Sequence, residues 1–210
     1  MPNPLRRPRF VYLDLGNVIL SFDRDRAHRQ MATVAGVAPA AVEAAVADGL
    51  QERLESGAID WTAYHAEFCR RTGTVPDPRA LAAAASDMFE LNAAMVPVIA
   101  ALQRAGCPLG ILSNTCDPHW RHLLSCRYAV MPGPFTQVVL SHEVGAMKPD
   151  PAIYRTATER AGVSADTIFF TDDIEANVAA ARALGWDSER FVSATVLADA
   201  LMRRGIPLGL

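Results

Sequence analysis

The spacing of five short apolar runs constrains this chain more than any other feature. Phe10–Leu13, Leu109–Leu112, Gln137–Leu140, Ile168–Phe170 and Arg190–Val192 each read as a strand bounded by turn residues. That is the pattern of strands buried on both faces of a parallel sheet. Helical patterns lie between them. Asn92 is placed to cap a helix closing at Gly106, Asp150-Pro151 opens one ending near Gly162, and Asp173 precedes one ending at Gly185. Strand and helix alternating in this way predict a doubly wound α/β domain with a parallel five-stranded sheet.

The first connection is out of scale with the rest. About 94 residues separate Asp14 from Pro108, against some 18 to 27 in the later crossovers. One crossover helix cannot absorb that length, so roughly 60–70 residues form an inserted unit. The expected division is a core of residues 1–20 and 92–210 around an insert of residues 21–91. The insert reads as all-helical: Asp60 caps a segment carrying Trp61, Tyr64, His65, Phe68 and Cys69 and closing at Gly73, and Asp77-Pro78 opens another. An insertion on the loop after the first strand sits as a cap over the carboxyl ends of the strands, where α/β sheets bind ligands.

Composition excludes several classes. Half of the 210 residues are hydrophobic and a fifth charged, which is ordinary for a globular chain. A formal charge of −3 argues against nucleic-acid or anionic-membrane partners. Asp14 and Asn17 interrupt Phe10–Leu20 as a signal segment, and nothing approaches the ~18 apolar residues of a bilayer span. Cys69, Cys107, Cys116 and Cys126 lack paired metal spacing and read as isolated thiols, as a reducing, cytoplasmic setting would leave them.

Four separated segments converge if each strand delivers its end to one crevice. They are D-L-G-N-V with Asp14, S-N-T with Ser113 and Asn114, M-K-P-D-P with Lys148, and T-D-D with Asp172 and Asp173. Taken singly, each is ordinary turn, cap or surface chemistry. Together they make a phosphoryl-transfer site. A carboxylate can attack phosphorus, acids facing one another call for a cation such as Mg²⁺, and a hydroxyl, an amide and a lysine neutralise phosphate oxygens.

This set resembles the haloacid dehalogenase (HAD)-like superfamily, in its branch with a small helical cap. D-L-G-N-V, S-N-T, V-G-A-M-K-P-D-P-A-I-Y and D-D-I-E-A-N-V-A-A-A-R-A-L-G occur in the expected order. The resemblance implies strand order 3-2-1-4-5, Asp14 as nucleophile, and Ser113, Asn114 and Lys148 on phosphate. It implies Mg²⁺ held by Asp14, Asp173 and the Gly16 carbonyl, with Asp172 orienting Lys148 or a metal-bound water. It also implies a small phosphorylated metabolite as substrate and an aspartyl-phosphate intermediate, while the chain could be a monomer or a homodimer.

One departure stands out. Phosphatases of this superfamily usually carry a second Asp two positions after the nucleophile, and here that position is Gly16. Losing a positioned acid lowers rates by ~10²–10⁴ unless another group substitutes, and Asp23, His119 and His65 are the candidates in the sequence. A good leaving group, such as the anomeric oxygen of a sugar 1-phosphate, would relieve the need. D-L-G-N-V also resembles the opening of small-cap glucose-1-phosphate phosphatases. The alternatives are a phosphomutase or other hydrolase using Asp14, and a catalytically weak phosphometabolite-binding protein.

Overall fold

The computed structural model describes residues 6–126, 128–131 and 133–209. The ends assigned to the core, 1–5 and 210, lie outside the described residues together with 127 and 132. Strand β1 (Phe10–Leu13) leads through a short loop to β2 (Leu20–Phe22). Five helices follow: α1 (Arg24–Ala35), α2 (Pro39–Val46), α3 (Leu50–Glu55), α4 (Trp61–Thr72) and α5 (Pro78–Ser86). The chain returns through β3 (Phe89–Leu91) to α6 (Met95–Arg104), β4 (Leu109–Ser113), α7 (Asp117–Ser125), β5 (Phe135–Leu140), α8 (Ser141–Val144) and α9 (Pro151–Ala161). It ends with β6 (Ile168–Asp172), α10 (Glu175–Ala183), β7 (Asp187–Arg190) and α11 (Ala194–Arg203).

Five strands form one parallel sheet in the order β5-β4-β1-β6-β7. Numbered among themselves, these are 3-2-1-4-5, so the doubly wound sheet has the order the resemblance implied. Every residue of β1, β4 and β6 is buried, with helices against both faces, which explains why those runs are continuously apolar.

The outer strand differs from expectation. It lies at Asp187–Arg190, ahead of the predicted Arg190–Val192, and reads D-S-E-R. Its charges are tolerated because the strand is an edge. Arg204, just beyond α11, donates to Asp187 Oδ1 and forms an ion pair with Glu189 Oε1, each at 2.7 Å. Of the two apolar residues that suggested the strand, Phe191 is buried beyond its end and Val192 is 71 % exposed.

The insert carries its own core, in which Met31, Val42, Leu50, Leu54, Tyr64, Phe68 and Leu81 pack together with Cys116 from the loop after β4. Burying a side chain such as Phe68 contributes about 1.5–3 kcal/mol. Trp61 stacks on Tyr64 with ring centroids 5.0 Å apart and donates to the Pro78 carbonyl, so the aromatic stripe of α4 packs the cap. The helices do not make up the whole insert. At its base β2 and β3 pair antiparallel, Leu20 against Leu91 and Phe22 against Phe89, a ribbon too short for its alternation to register in the sequence. Asn92 does not cap the next helix: its side chain donates to the Val18 carbonyl and its N–H to Ile19, tying the returning chain to the loop after β1. Among the described residues no helix is long and apolar enough to cross a membrane, and the four cysteines are unpaired.

Candidate active site

Three strand ends and one loop build a charged cluster under the insert. Asp14 follows β1 directly, and its N–H donates to the Thr171 carbonyl of β6 at 3.0 Å. That bond fixes Asp14 beside Asp172, the last residue of β6. Lys148 arrives from the loop after α8 and is buried with its Nζ between the two acids, 2.7 Å from Asp14 Oδ1 and 2.6 Å from Asp172 Oδ2. A third bond runs from Nζ to the Leu112 carbonyl at 2.9 Å, so all three ammonium protons have acceptors.

The electrostatics follow from burial. The Asp14 carboxyl is pushed up to about 7, because desolvation and the Asp172 charge outweigh the downward pull of Lys148. Burial alone would lower Lys148, but Asp14 and Asp172 outweigh it and hold the ammonium above its ordinary value.

The two acids of T-D-D have different surroundings. Asp172 is fully buried, and both of its oxygens are occupied. Oδ1 accepts from the Ile174 N–H at 2.8 Å and from Asn177 at 3.0 Å, while Oδ2 accepts from Asn177 and Lys148. Asp173 is half-buried and accepts only on Oδ2, from the Asn17 amide at 2.9 Å. Carboxylate oxygens of Asp14, Asp172 and Asp173 lie within 4.8 Å of one another. Since Asp172 has no oxygen to spare, the free ligands are the second oxygen of Asp14, Oδ1 of Asp173 and the Gly16 carbonyl, which accepts no hydrogen bond among the described residues. Three hard oxygens at one cleft suit a divalent cation that keeps part of its water shell.

Ser113 ends β4, beside Asn114. The Asn114 side chain is committed to the lysine loop, accepting from Lys148 N–H at 2.7 Å and donating to the Lys148 carbonyl at 2.9 Å. What Asn114 still offers an anion is its backbone N–H, which has no acceptor among the described residues.

A cavity of about 490 Å³ opens over this cluster, within the range of small-metabolite sites. Asp14, Gly16, Ser113, Asn114, Lys148 and Asp173 line its floor, while the insert supplies Arg24, Asp48, Gln51, Glu52, Glu55 and Tyr64 as roof. Of the groups considered as substitutes for an acid at position 16, only His119 reaches the cavity, and desolvation drops its pKa to about 4. Asp23 caps α1, and His65 bonds the Pro76 carbonyl within the insert.

Roof and floor are joined behind the cavity. The Thr115 N–H donates to Ser141 Oγ, and the Ser141 hydroxyl in turn bonds the Glu55 carbonyl of the insert. His142 Nδ1 meets the Thr115 carbonyl at 2.9 Å, which gives His142 a bracing role the sequence did not suggest. Asn17 and Asn177 also went unrecognised, because an amide after a strand or in a first helical turn is common turn and cap chemistry. Their signal was position alone, three residues after Asp14 and five after Asp172.

Comparison with known proteins agrees with this geometry. A family model described as haloacid dehalogenase-like hydrolase matches residues 10–185. Among curated proteins, Phosphatase MT3486 of Mycobacterium tuberculosis is 36 % identical over 90 residues, 42 % of this chain and 41 % of that protein. Glyceraldehyde 3-phosphate phosphatase of Methanopyrus kandleri is 26 % identical over 132 residues, 59 % and 55 % of the two chains. The chain thus spans about half or less of these relatives' lengths. Among solved structures, a HAD family enzyme of Bacteroides thetaiotaomicron, captured with magnesium and inorganic phosphate, superposes with TM-score 0.78 at 23 % identity, covering 89 % of this chain and 95 % of that one. A HAD-like hydrolase of Porphyromonas gingivalis gives 0.75 at 25 % identity, covering 94 % and 97 %.

Proposed function

The chain belongs to the haloacid dehalogenase-like hydrolases, and from that membership we propose that it is a magnesium-dependent phosphatase of small phosphorylated metabolites, with Asp14 as nucleophile. The observation that carries this reading is the buried Asp14–Lys148–Asp172 chain with Asp173 beside it. A lysine spent only on neutralising two acids would be a poor use of a buried position, since apolar residues stabilise as well. At the floor of an open cavity the same lysine meets the transferring phosphoryl group and holds Asp14 aimed at it.

In this reading an oxygen of Asp14 attacks phosphorus, the ester oxygen leaves, and water later hydrolyses the aspartyl-phosphate. Lys148, Ser113 and the Asn114 N–H stabilise charge on the equatorial oxygens. Asp172 positions Lys148, and is itself positioned by Asn177. Mg²⁺, held by Asp14, Asp173 and the Gly16 carbonyl, would neutralise phosphate charge and screen the acids from one another. The preferred substrate is a sugar 1-phosphate, whose anomeric oxygen leaves with less assistance from an acid than a primary alcohol does.

Phosphate release from an aryl phosphate with Mg²⁺ tests the core of the reading. Asp14→Asn abolishes it, a loss on the order of 10⁴-fold or more, and Asp173→Asn raises the magnesium requirement. Activity surviving in Asp14→Asn rejects the mechanism. Equal turnover of sugar 1- and 6-phosphates removes the leaving-group preference, and sustained isomerisation without phosphate release identifies a mutase.

A further inference from the structure

The Phe22 ring lies against position 16: a Cβ built there would stand 3.1 Å from Phe22 Cε1, a tight contact that a small shift of the ring would relieve. Phe22 is held in place through the ribbon: it pairs with Phe89, the two rings meet edge-on at 6.3 Å, and Phe89 meets His119 at 5.4 Å. The same Phe22 ring carries the guanidinium of Arg24, 5.4 Å from its centroid.

Three features of Arg24, an exposed side chain, bear on the cavity. It lines the cavity together with Asp14 and Gly16. Its guanidinium makes no ion pair or hydrogen bond among the described residues, whereas Lys148, the cavity's lysine, has all three protons committed. It is also the first residue of α1, where a cation opposes the helix dipole. Resting on Phe22 at the cavity wall with its N–H donors uncommitted, it is placed to meet a ligand there. Burial raises the Glu55 carboxyl on the roof and lowers His119 beside the floor; the Arg24 charge makes a smaller contribution, opposing the first shift and reinforcing the second.

We propose that Arg24 takes the place of the absent acid, donating hydrogen bonds to the leaving oxygen of the substrate and stabilising its charge without giving up a proton. The inference rests on the phosphatase reading above. As the Asp14 oxygen bonds to phosphorus, the ester P–O bond breaks and its electron pair passes to the leaving oxygen. The guanidinium shares that charge through its N–H donors. The proton that completes the alcohol comes from water. Phe22 crowds position 16 and offers a face on which the planar guanidinium rests.

The test uses the whole protein with Mg²⁺ and a series of substituted phenyl phosphates of graded leaving-group acidity, alongside glycerol phosphate. Arg24→Met should lose little on the most acidic phenols and about 10- to 100-fold in kcat on phenyl and glycerol phosphate, the range of a charge-assisted hydrogen bond. The dependence of rate on leaving group should therefore steepen. Arg24→Lys should retain an intermediate rate, and guanidinium ion at non-denaturing concentration should restore part of the Arg24→Met loss. Inhibition by inorganic phosphate should not change. A uniform loss across the series, or one confined to KM, overturns the role of Arg24 and leaves the phosphatase reading intact. Absence of turnover by the unaltered protein on every ester removes the phosphatase reading and this role with it.

Discussion

Lys148 shows how much one side chain is asked to do: it satisfies two acids and a carbonyl from a buried position at the cavity floor. Its meaning was legible because lysine, aspartate and serine at strand ends are costly unless they meet. Asn17 and Asn177 were illegible because amides are cheap anywhere a chain turns. Arg24 and Phe22 were illegible because nothing in the sequence tells which side chains of an insert turn toward the cavity. His119 makes a prediction of its own kind. Burial, reinforced by the charges of His122, Arg24 and His142, lowers its folded pKa from 6.5 to about 4. The unfolded chain therefore binds the extra proton first. The stability His119 permits is complete above about pH 6.5 and declines as pH falls toward 4, by about 2 kcal/mol at pH 5. Urea unfolding at pH 8 and pH 5 should show that difference shrink in His119→Gln; an unchanged difference would refute the assignment.

At the scale of elements, the sheet could be read from apolar runs at the three inner strands and at the edge strand β5, which ends in the apolar run Val138–Leu140. The reading slipped at β7 because this edge strand is stabilised differently. Arg204 is 3 % exposed, rests over the Phe169 ring at 4.6 Å, donates to the Ala200 carbonyl and engages Asp187 and Glu189. One buried cation thus joins β7, β6 and the end of α11, a long-range arrangement that no period-2 pattern announces. Arg204→Met should lower unfolding free energy by roughly 2–4 kcal/mol, somewhat below a fully buried pair because the acids retain some solvent. Chemical denaturation measures it, and a change under about 0.5 kcal/mol, within the range of an ordinary surface substitution, would show the cluster to be ornamental. The β2–β3 ribbon escaped the reading for the simpler reason that three-residue strands carry too little pattern.

For the whole molecule, the first connection announced an insert by its length, while its seating on the core depends on contacts between backbones. Gly57 has φ +74°, and a Cβ there would lie within 2.4 Å of the His142 carbonyl oxygen, so insert and α8 meet main chain to main chain. Gly57→Ala should therefore unseat that contact and the adjacent Ser141 bond to Glu55, raising KM about tenfold while the parallel sheet stays protected. Hydrogen exchange would show faster exchange in residues 50–60 with β1, β4 and β6 unaffected; uniform acceleration would mean that roof and floor unfold as one. The paired strands at the insert's base have a consequence for engineering. The chain leaves the core at Leu20 and re-enters at Leu91 as hydrogen-bonded neighbours. A replacement segment whose termini sit one strand-spacing apart should be accommodated between them, provided it also restores the packing on Cys116 and the bond from Ser141. Under the proposed function, exchanging that one contiguous stretch of gene should then move the substrate preference with it.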